Sequence, residues 1–448
     1  MKKFIPVVLI AFWINVNAQT GSLRYAPGES PDRIMLSISG DPAKSRAVTW
    51  RTDYKITESV GQVIKATPSP ELEDGALEVT GTNSPWQKGS DYALGHKVVF
   101  NNLEPSTLYA YRVGDGENWS EWFQFKTASD KKEPFSFIYL GDLQNGLKSH
   151  CSRLLRQAFY HQPDAAFMIL AGDLVNSSTE PYWSEFFYAG DFIFGTIPSV
   201  ATPGNHEYSR VEGSVERAFS PQWNQIFVNP DNGSEHLKNH TYYFDYQGVR
   251  FISVDSYHLA NILTYTEEQL SWLEKVLSEN EQKWTVVFLH YPVFSCSQGR
   301  NKPEYRAVIK PVLEKYGVDL VLQGHDHTYC RGFNLDSLGN NCTNPPMYVV
   351  SVAGSKMYGL SVDKWADKVA SMTQLYQIID VNGDTLAFNS YTVTGEKYDS
   401  FSLIKQPGKA NSFTEGETGC GKLRVDIPEN AKKNYSAGEL EQYQKIFK

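Results

Sequence analysis

The sequence lacks several features that would assign it to a class at once. Its formal net charge is −9, and this shortage of positive charge argues against a nucleic-acid-coating protein, because no overall positive field would gather phosphate backbones. The five cysteines form no CxxC pair, which zinc knuckles use. Beyond the N-terminus no apolar run is long enough to cross a bilayer. The 448 residues are 41% hydrophobic, which excludes wholesale disorder and fits a globular protein of two or three domains.

The first 18 residues have the pattern of a signal peptide. Lys2 and Lys3 precede a mostly apolar run over residues 4–16, and Val16-Asn17-Ala18 supplies small residues for cleavage. A buried N-terminal strand is the alternative interpretation. We expect residues 1–18 to be removed and the mature protein to be secreted or periplasmic.

The cysteines allow disulfides if the protein is exported. Cys330 and Cys342 flank a Gly/Asn-rich loop and are the pair that we expect to be bridged. Because the number of cysteines is odd, at least one thiol stays unpaired within the monomer.

Residues 24–128 read as an all-β domain. Short alternating apolar runs recur there between turn-rich stretches, which is the pattern of a β-sandwich. The predicted strands include 34–38, 47–50, 97–100 and 109–113.

Residues 133–407 show a different pattern, in which apolar β-rich runs alternate with helix-like stretches. This alternation predicts βα units and a mostly parallel sheet. The predicted strands are 135–140, 166–171, 197–201, 284–289 and 318–323, the predicted helices include 148–161 and 266–279, and a hairpin is predicted over 376–391. The polar extension 408–448 is either a mobile tail or a strap over the surface.

Each of the five predicted strands is followed by Asp, Asn or His. The carboxyl edge of an α/β sheet is where sites form, and a mixed set of carboxylate, amide and imidazole ligands suits Zn, Mn or Fe. Taken singly, each residue could be a helix cap, a turn residue or a core histidine. The motifs are Gly141-Asp142, Gly172-Asp173, Gly204-Asn205-His206-Glu207, His290 and Gly324-His325-Asp326-His327.

This series of motifs resembles the calcineurin-like metallophosphoesterase superfamily. The preceding domain, with Val48-Thr49-Trp50-Arg51, resembles the fibronectin III-like N-terminal domain of purple acid phosphatases. The resemblance implies a four-layer α/β/β/α metallophosphoesterase sandwich preceded by an all-β fibronectin III-like sandwich.

The resemblance also implies a centre of two divalent or trivalent metal ions and a role for each matching residue. Asp142, Asp173 and His327 would hold the first metal, with Asp173 bridging. The second metal would be held by Asn205, His290 and His325. The resemblance makes His206 the candidate for orienting the phosphate and protonating the leaving group.

The sequence also departs from the family pattern. Asn176 stands where purple acid phosphatases carry the tyrosine whose phenolate on ferric iron produces the colour, so we expect a colourless enzyme. Gln144 stands where many superfamily members have a histidine, and is a candidate weak ligand or hydrogen-bond partner. The loop 295–301 lacks the histidine pair of plant-type members. Tyr329 and Arg331 are candidates for lining the pocket and binding phosphate.

The function that these inferences predict is an exported dinuclear-metal phosphoesterase. It would hydrolyse phosphate monoesters of small molecules or proteins by direct attack of metal-bound hydroxide. A phosphodiesterase, a nucleotidase or a phosphoprotein phosphatase on the same site is the alternative among enzymes. The alternative from another class is a binding protein with a decayed catalytic domain.

Overall fold

The computed structural model describes residues 26–86, 92–210, 217–339, 342–362, 365–419 and 424–447. The predicted signal peptide and Cys420 lie outside these ranges. Among the helices that are described, none combines the length and the apolar character that a membrane span requires.

The N-terminal part of the chain is a sandwich of two antiparallel sheets, ordered β1-β2-β6-β5 and β4-β3-β7-β8. Its core contains Trp50 and Tyr111, which are fully buried. Strand β2 is buried on both faces, because its outer face packs against the second domain, where Thr49 Oγ1 donates to Ile226 O at 2.7 Å. The strands are β1 Asp32–Ser37, β2 Arg46–Asp53, β3 Val60–Lys65, β4 Leu77–Thr80, β5 Thr82–Pro85, β6 Ala93–Phe100, β7 Leu108–Gly114 and β8 Phe123–Lys126.

The second part of the chain is built around two sheets of seven described strands each. The first sheet has the order β11-β10-β9-β21-β22-β23-β24 and the second the order β14-β15-β16-β17-β19-β18-β20. The strands are β9 Phe135–Leu140, β10 Met168–Leu170, β11 Ser199–Ala201, β14 Tyr242–Tyr246, β15 Val249–Val254, β16 Trp284–Leu289, β17 Leu320–Gln323, β18 Tyr329–Gly332, β19 Met347–Val350, β20 Lys368–Ala370, β21 Leu375–Asn382, β22 Thr385–Thr392, β23 Lys397–Ile404 and β24 Ser412–Glu415; a separate hairpin pairs β12 Tyr208–Arg210 with β13 Arg217–Phe219.

The two sheets pack face to face, with helices on both outer faces. Aromatic side chains dominate the layer between the sheets, where Phe137 of β9 meets Phe251 of β15 edge-on at 5.2 Å between ring centroids. This arrangement confirms the predicted four layers. The helices are α1 Ser152–His161, which continues a π-helical turn Leu147–Cys151, α2 Glu180–Gly190, α3 Phe192–Thr196, α4 Trp223–Ile226, α5 Thr266–Ser278, α6 Pro303–Lys315 and α7 Ala437–Phe447; shorter helical turns are Glu235–Leu237, His258–Ile262, Leu335–Ser337 and Glu429–Asn434.

The expectation of a mostly parallel sheet is corrected, because both sheets are mixed. Parallel pairing is confined to β9-β10-β11 and β15-β16-β17-β19. The C-terminal hairpin β21–β22 joins the first sheet by pairing antiparallel to β9. Strand β21 is buried along nearly its whole length. Its apolar run therefore does not indicate whether the strand pairs parallel or antiparallel to its neighbours.

The disulfide joins Cys296 to Cys330, with 6.4 Å between their Cα atoms, and the expected Cys330–Cys342 pair is wrong. Cys330 lies on β18 and faces the loop that follows β16, where Cys296 lies, whereas Cys342 is free. Proximity along the sequence was a poor guide because the fold brings a loop 34 residues away onto the same strand.

The C-terminal extension forms a strap against the second domain. Strand β24 pairs with β23, and Tyr435 and Tyr443 are buried in a cluster that includes both disulfide cysteines. The Tyr435 hydroxyl donates to Leu360 O at 2.6 Å. The alternative of a mobile tail does not hold for the described residues of this segment.

Replacing Tyr435 with alanine should therefore destabilise the protein. The lost packing and buried hydrogen bond predict a fall of about 3 kcal/mol in the free energy of unfolding. Urea denaturation measures this change, and Tyr160→Ala is the control because the Tyr160 side chain is 81% exposed. Equal stability of the two variants would contradict the strap.

Candidate metal centre

The carboxyl edges of the two sheets meet at one cavity and bring the predicted metal ligands together. Asp173 Oδ2 lies 3.2 Å from His290 Nε2, and His290 Nε2 lies 3.2 Å from His325 Nδ1. His327 Nε2 lies 3.7 Å from Asp142 Oδ1. These side chains follow β9, β10, β16 and β17, so the convergence is produced by the topology of both sheets.

Three oxygen atoms at this edge are buried and lack a hydrogen-bond partner within the described structure: Asp142 Oδ1, Gln144 Oε1 and Asn205 Oδ1. Buried polar atoms are normally paired, because leaving them unpaired costs free energy. Unpaired acceptors beside imidazole nitrogens form a mixed oxygen and nitrogen donor set, which fits Zn, Mn or Fe. The residues present therefore fit a metal centre.

Two imidazoles are oriented by backbone carbonyls. His290 Nδ1 donates to Ala171 O at 2.9 Å, and His327 Nδ1 donates to Lys356 O at 3.0 Å. These bonds place the proton on Nδ1 and leave Nε2 of each ring facing the carboxylates. Metal-binding histidines commonly have this arrangement, in which the other ring nitrogen is held by an acceptor.

Four of the six predicted ligands adopt the left-handed backbone region. The φ angles are 53° for Asp142, 50° for Asp173, 74° for His325 and 43° for His327. Such angles cost free energy in residues other than glycine and concentrate at functional sites. Gly204 is required by a close approach, since a Cβ there would lie 2.4 Å from the backbone nitrogen of Asp173.

The buried charges at this edge call for a cation. Burial raises the pKa of Asp142 well above its usual range, and the Asp173 carboxylate adds to the rise. Although burial opposes it, Asp173 raises the pKa of His290 to about 9. A proton on His290 thus compensates carboxylate charge in the absence of any other cation, and a bound metal would reverse this balance.

His206 and Gln144 lie at the wall of the cavity. His206 Nδ1 donates to Asn176 O at 2.6 Å, which leaves Nε2 3.8 Å from Asp173 Oδ2. The Gln144 amide donates to Asp173 Oδ2 at 2.8 Å and approaches His327 Nε2 at 3.1 Å. The Asn176 amide is bound to neighbouring polar groups, accepting from Asn145 at 3.0 Å.

Tyr329 and Arg331 do not line the cavity, so that expectation is corrected. Both side chains are buried on β18. Arg331 donates through Nε to Asp399 Oδ2 at 3.0 Å, and the Tyr329 hydroxyl donates to the same oxygen at 2.7 Å. Tyr329 and Arg331 are two positions apart in β18, so their side chains share one face of the strand, and both bind the buried Asp399 carboxylate beneath the strap.

Glu207 is a residue beside the candidate ligands that sequence reasoning did not single out. Its carboxylate accepts from the backbone nitrogens of Gly204 at 2.7 Å, Asp173 at 2.9 Å and Leu174 at 2.9 Å. Burial, followed by the Asp173 carboxylate, raises the pKa of Glu207 to about 7. Glu207 therefore ties together the loops after β10 and β11, and its place in the motif Gly204-Asn205-His206-Glu207 was the available signal.

Arg300 is the second such residue. It lies in the loop that lacks the histidine pair, where its Nε donates to Asp326 Oδ1 at 2.9 Å and its guanidinium donates to His325 Nε2. The guanidinium also lies over the Tyr358 ring, 4.8 Å from its centroid. The sequence shows that this loop contains an arginine, but it does not show which neighbours the arginine side chain contacts.

The cavity has a volume of about 340 Å³ and a strongly polar wall. Cations and tyrosines line it beside the candidate ligands: Arg217, Arg300, Lys302 and Lys356, with Tyr257, Tyr291 and Tyr358. Such a wall favours an anionic ligand.

Comparison with known proteins identifies the two parts of the chain. Residues 31–127 match the purple acid phosphatase N-terminal domain, and residues 135–329 match calcineurin-like phosphoesterase. Probable purple acid phosphatase 20 of Arabidopsis thaliana is 29% identical over 314 residues, which cover 67% of this chain and 69% of that protein.

Two further similarities concern the metals and the fold. Fe(3+)-Zn(2+) purple acid phosphatase 12 of Arabidopsis thaliana is 26% identical over 295 residues, covering 60% of this chain and 61% of that protein. The solved structure of purple acid phosphatase PPD1 from yellow lupin seeds has a TM-score of 0.68 and 19% identity, covering 84% of this chain and 74% of that one. The predicted fold class is confirmed.

Replacing Glu207 with alanine should weaken metal binding. Three backbone N–H groups would lose their acceptor and the loops that carry Asp173 and Asn205 would loosen, so we expect a fall in metal affinity of roughly 10–100-fold. Metal titration of the stripped protein measures it, and the exposed Glu281→Ala is the control. Unchanged affinity in Glu207→Ala would contradict the bracing role.

Replacing Arg331 with glutamine should lower stability and leave the cavity intact. The variant leaves the Asp399 carboxylate buried without its cation, which predicts a loss of about 3 kcal/mol in the free energy of unfolding. Urea denaturation and turnover per folded molecule are measured together, with exposed Arg156→Gln as control. If turnover were lost while stability stayed unchanged, the original expectation that Arg331 lines the cavity would be supported instead.

Proposed function

We propose that the cavity hydrolyses phosphate monoesters with two metal ions, on the premise that residues 135–329 form a calcineurin-like phosphoesterase domain behind a purple acid phosphatase N-terminal domain. The observation that carries the proposal is the cluster of ligand-type side chains at the joined sheet edges, where buried oxygens of Asp142 and Asn205 lack partners. Because burial of unpaired acceptors is costly, the cluster is best explained as a metal centre.

The six candidate ligands divide between the two proposed metals. We assign Asp142, Asp173 and His327 to the first metal and Asn205, His290 and His325 to the second, with Asp173 shared. When bound, the metal pair neutralises phosphoryl oxygens and lowers the pKa of coordinated water. Zn, Mn and Fe all suit these ligands.

Because Asn176 stands in place of the tyrosine that produces the colour, we expect a colourless centre whichever of these metals is bound. Its amide is taken up by hydrogen bonds to Asn145 at 3.0 Å and Tyr182 at 3.4 Å. An amide has no phenolate to give colour on ferric iron, so the proposed enzyme differs here from purple members of its family.

His206 is the proposed proton donor to the leaving group. The bond from its Nδ1 to Asn176 O orients the ring, and Nε2 is left for the substrate. When protonated, an imidazole placed beside a departing alkoxide stabilises it by donating a proton.

Arg300 is the proposed phosphate anchor. Its guanidinium is fixed by the buried Asp326 and by the Tyr358 ring, so little freedom is lost when it binds an anion. A guanidinium matches phosphate geometry and can donate two parallel hydrogen bonds. This residue takes over the role that the missing histidine pair leaves open.

Export is proposed from the leader-like residues 1–18. The disulfide between Cys296 and Cys330 supports it, because structural disulfides persist in oxidising compartments such as the periplasm or the extracellular space.

Two variants separate metal binding from proton transfer. Asp173→Ala should abolish turnover together with loss of metal, because the shared carboxylate is removed. His206→Ala should lower turnover by roughly a hundredfold or more while metal content stays near that of the native enzyme. Steady-state hydrolysis of p-nitrophenyl phosphate and elemental analysis measure both quantities.

The control is His150→Ala, since His150 is exposed and lies outside the cavity. Native turnover in metal-loaded Asp173→Ala would refute the assignment of the centre. A parallel fall of turnover and metal content in His206→Ala would make His206 a structural residue.

A further inference from the structure

The cavity carries more positive charge than a single phosphate needs. Arg300 stands beside the proposed metal ligands, and three further cations line the wall beyond it: Arg217, Lys302 and Lys356. They come from three separate parts of the chain, namely β13, the residue before α6, and the segment after β19. Their convergence is therefore a product of the tertiary fold.

These outer cations form no salt bridge with a carboxylate among the described residues. Arg300 is paired with Asp326, but Arg217, Lys302 and Lys356 take part in no salt bridge within the described ranges. Arg217 donates instead to the carbonyls of Asn205 and Tyr208, at 3.2 and 3.1 Å.

Each lysine has only weak neutral contacts. Lys302 Nζ lies 3.4 Å from the amide oxygen of Asn261, and Lys356 Nζ lies over the Tyr358 ring, 5.3 Å from its centroid. Burial, and then the Arg300 cation, lower the pKa of Lys302, and Glu304 opposes this change only in part. Cations that line one cavity without salt-bridge partners favour the binding of an anion there.

The tyrosines of the wall do not offer a stacking platform for a nucleobase. The Tyr291 ring is contacted by His325 at 3.9 Å between centroids and by Lys302 at 4.9 Å. The Tyr257 ring is stacked on Tyr208 at 4.5 Å. The Tyr358 ring is covered by the Arg300 guanidinium at 4.8 Å and by Lys356 Nζ at 5.3 Å from its centroid. Since all three rings have such contacts, the outer wall is suited to a compact anion and not to a planar ring.

We propose that Lys302 and Lys356 form a subsite for a second phosphoryl group, so that the preferred substrates are small molecules bearing at least two phosphates. The scissile phosphate lies at the metal centre and Arg300, and the distal phosphate lies between the two lysines. This inference rests on the proposed phosphatase function and adds to it the class of substrate. The side chains of Lys302 and Lys356 are specificity determinants and take no part in bond breaking.

The test compares two substrates with the same scissile bond, 1,3-propanediol monophosphate and 1,3-propanediol bisphosphate. For the native, metal-loaded enzyme we expect kcat/KM to be at least roughly tenfold higher for the bisphosphate, through a lower KM, because a charge-assisted hydrogen bond contributes about this factor. The preference should shrink as ionic strength rises.

The variants Lys302→Gln and Lys356→Gln should each lower kcat/KM for the bisphosphate by roughly tenfold, and for the monophosphate by much less. Lys356→Gln is a clean variant because only the backbone carbonyl of Lys356 holds His327. Lys409→Gln removes the same charge from an exposed position outside the cavity and is the control for net charge.

The outcomes distinguish this inference from the function on which it rests. If the native enzyme hydrolyses the monophosphate with equal or higher kcat/KM, or if both lysine variants keep the native ratio between the substrates, the subsite is refuted while the phosphatase function stands. If metal-loaded enzyme hydrolyses neither substrate, the proposed function itself fails. A native bisphosphate preference that both lysine variants lose supports the subsite.

Discussion

The structure depends on holding two buried carboxylates close together, at a place where a cation is needed to neutralise their charge. Asp142 and Asp173 are both buried at the joined sheet edges, and their mutual repulsion would spread any flexible loop that carried them. The fold prevents this by fixing each residue directly after a buried strand and in a left-handed backbone conformation. Glu207 adds a second restraint, because its carboxylate binds the backbone of two ligand loops. The strain is concentrated where the proposed chemistry takes place.

The rest of the fold supplies the rigidity that this arrangement needs. The aromatic layer between the sheets keeps β9 and β15 in contact through Phe137 and Phe251, so both edges keep a constant separation. The N-terminal sandwich packs against the outer side of this body, where the buried Arg51 pairs with Glu180 at 2.6 Å. A close-packed interior has low compressibility and keeps its strands in fixed positions, which is the condition for placing several ligands at one point.

Prediction from the sequence succeeded where a single segment carries its own signal. The apolar run 284–289 predicted strand β16, and the run 135–140 predicted strand β9. It failed where partners are distant along the chain. The side chain that follows His327 by four residues, Arg331, turned toward Asp399, 68 residues away, and Cys296 reached Cys330 across two elements. Glu207 was recognised as part of a motif, but the three backbone N–H groups that it binds come together only in the folded chain.

One departure of this chain from the family pattern lies in the loop 295–301, and other features of the chain brace that loop. Arg300, the proposed phosphate anchor, lies there. Cys296 ties the loop to β18, and the Gln298 amide donates to Glu439 of the C-terminal strap at 2.7 Å. A lone guanidinium can replace two imidazoles as an anion site only if its position is held, since a mobile arginine would lose much of its binding free energy as side-chain entropy. The disulfide and the strap therefore hold in place the loop that carries Arg300.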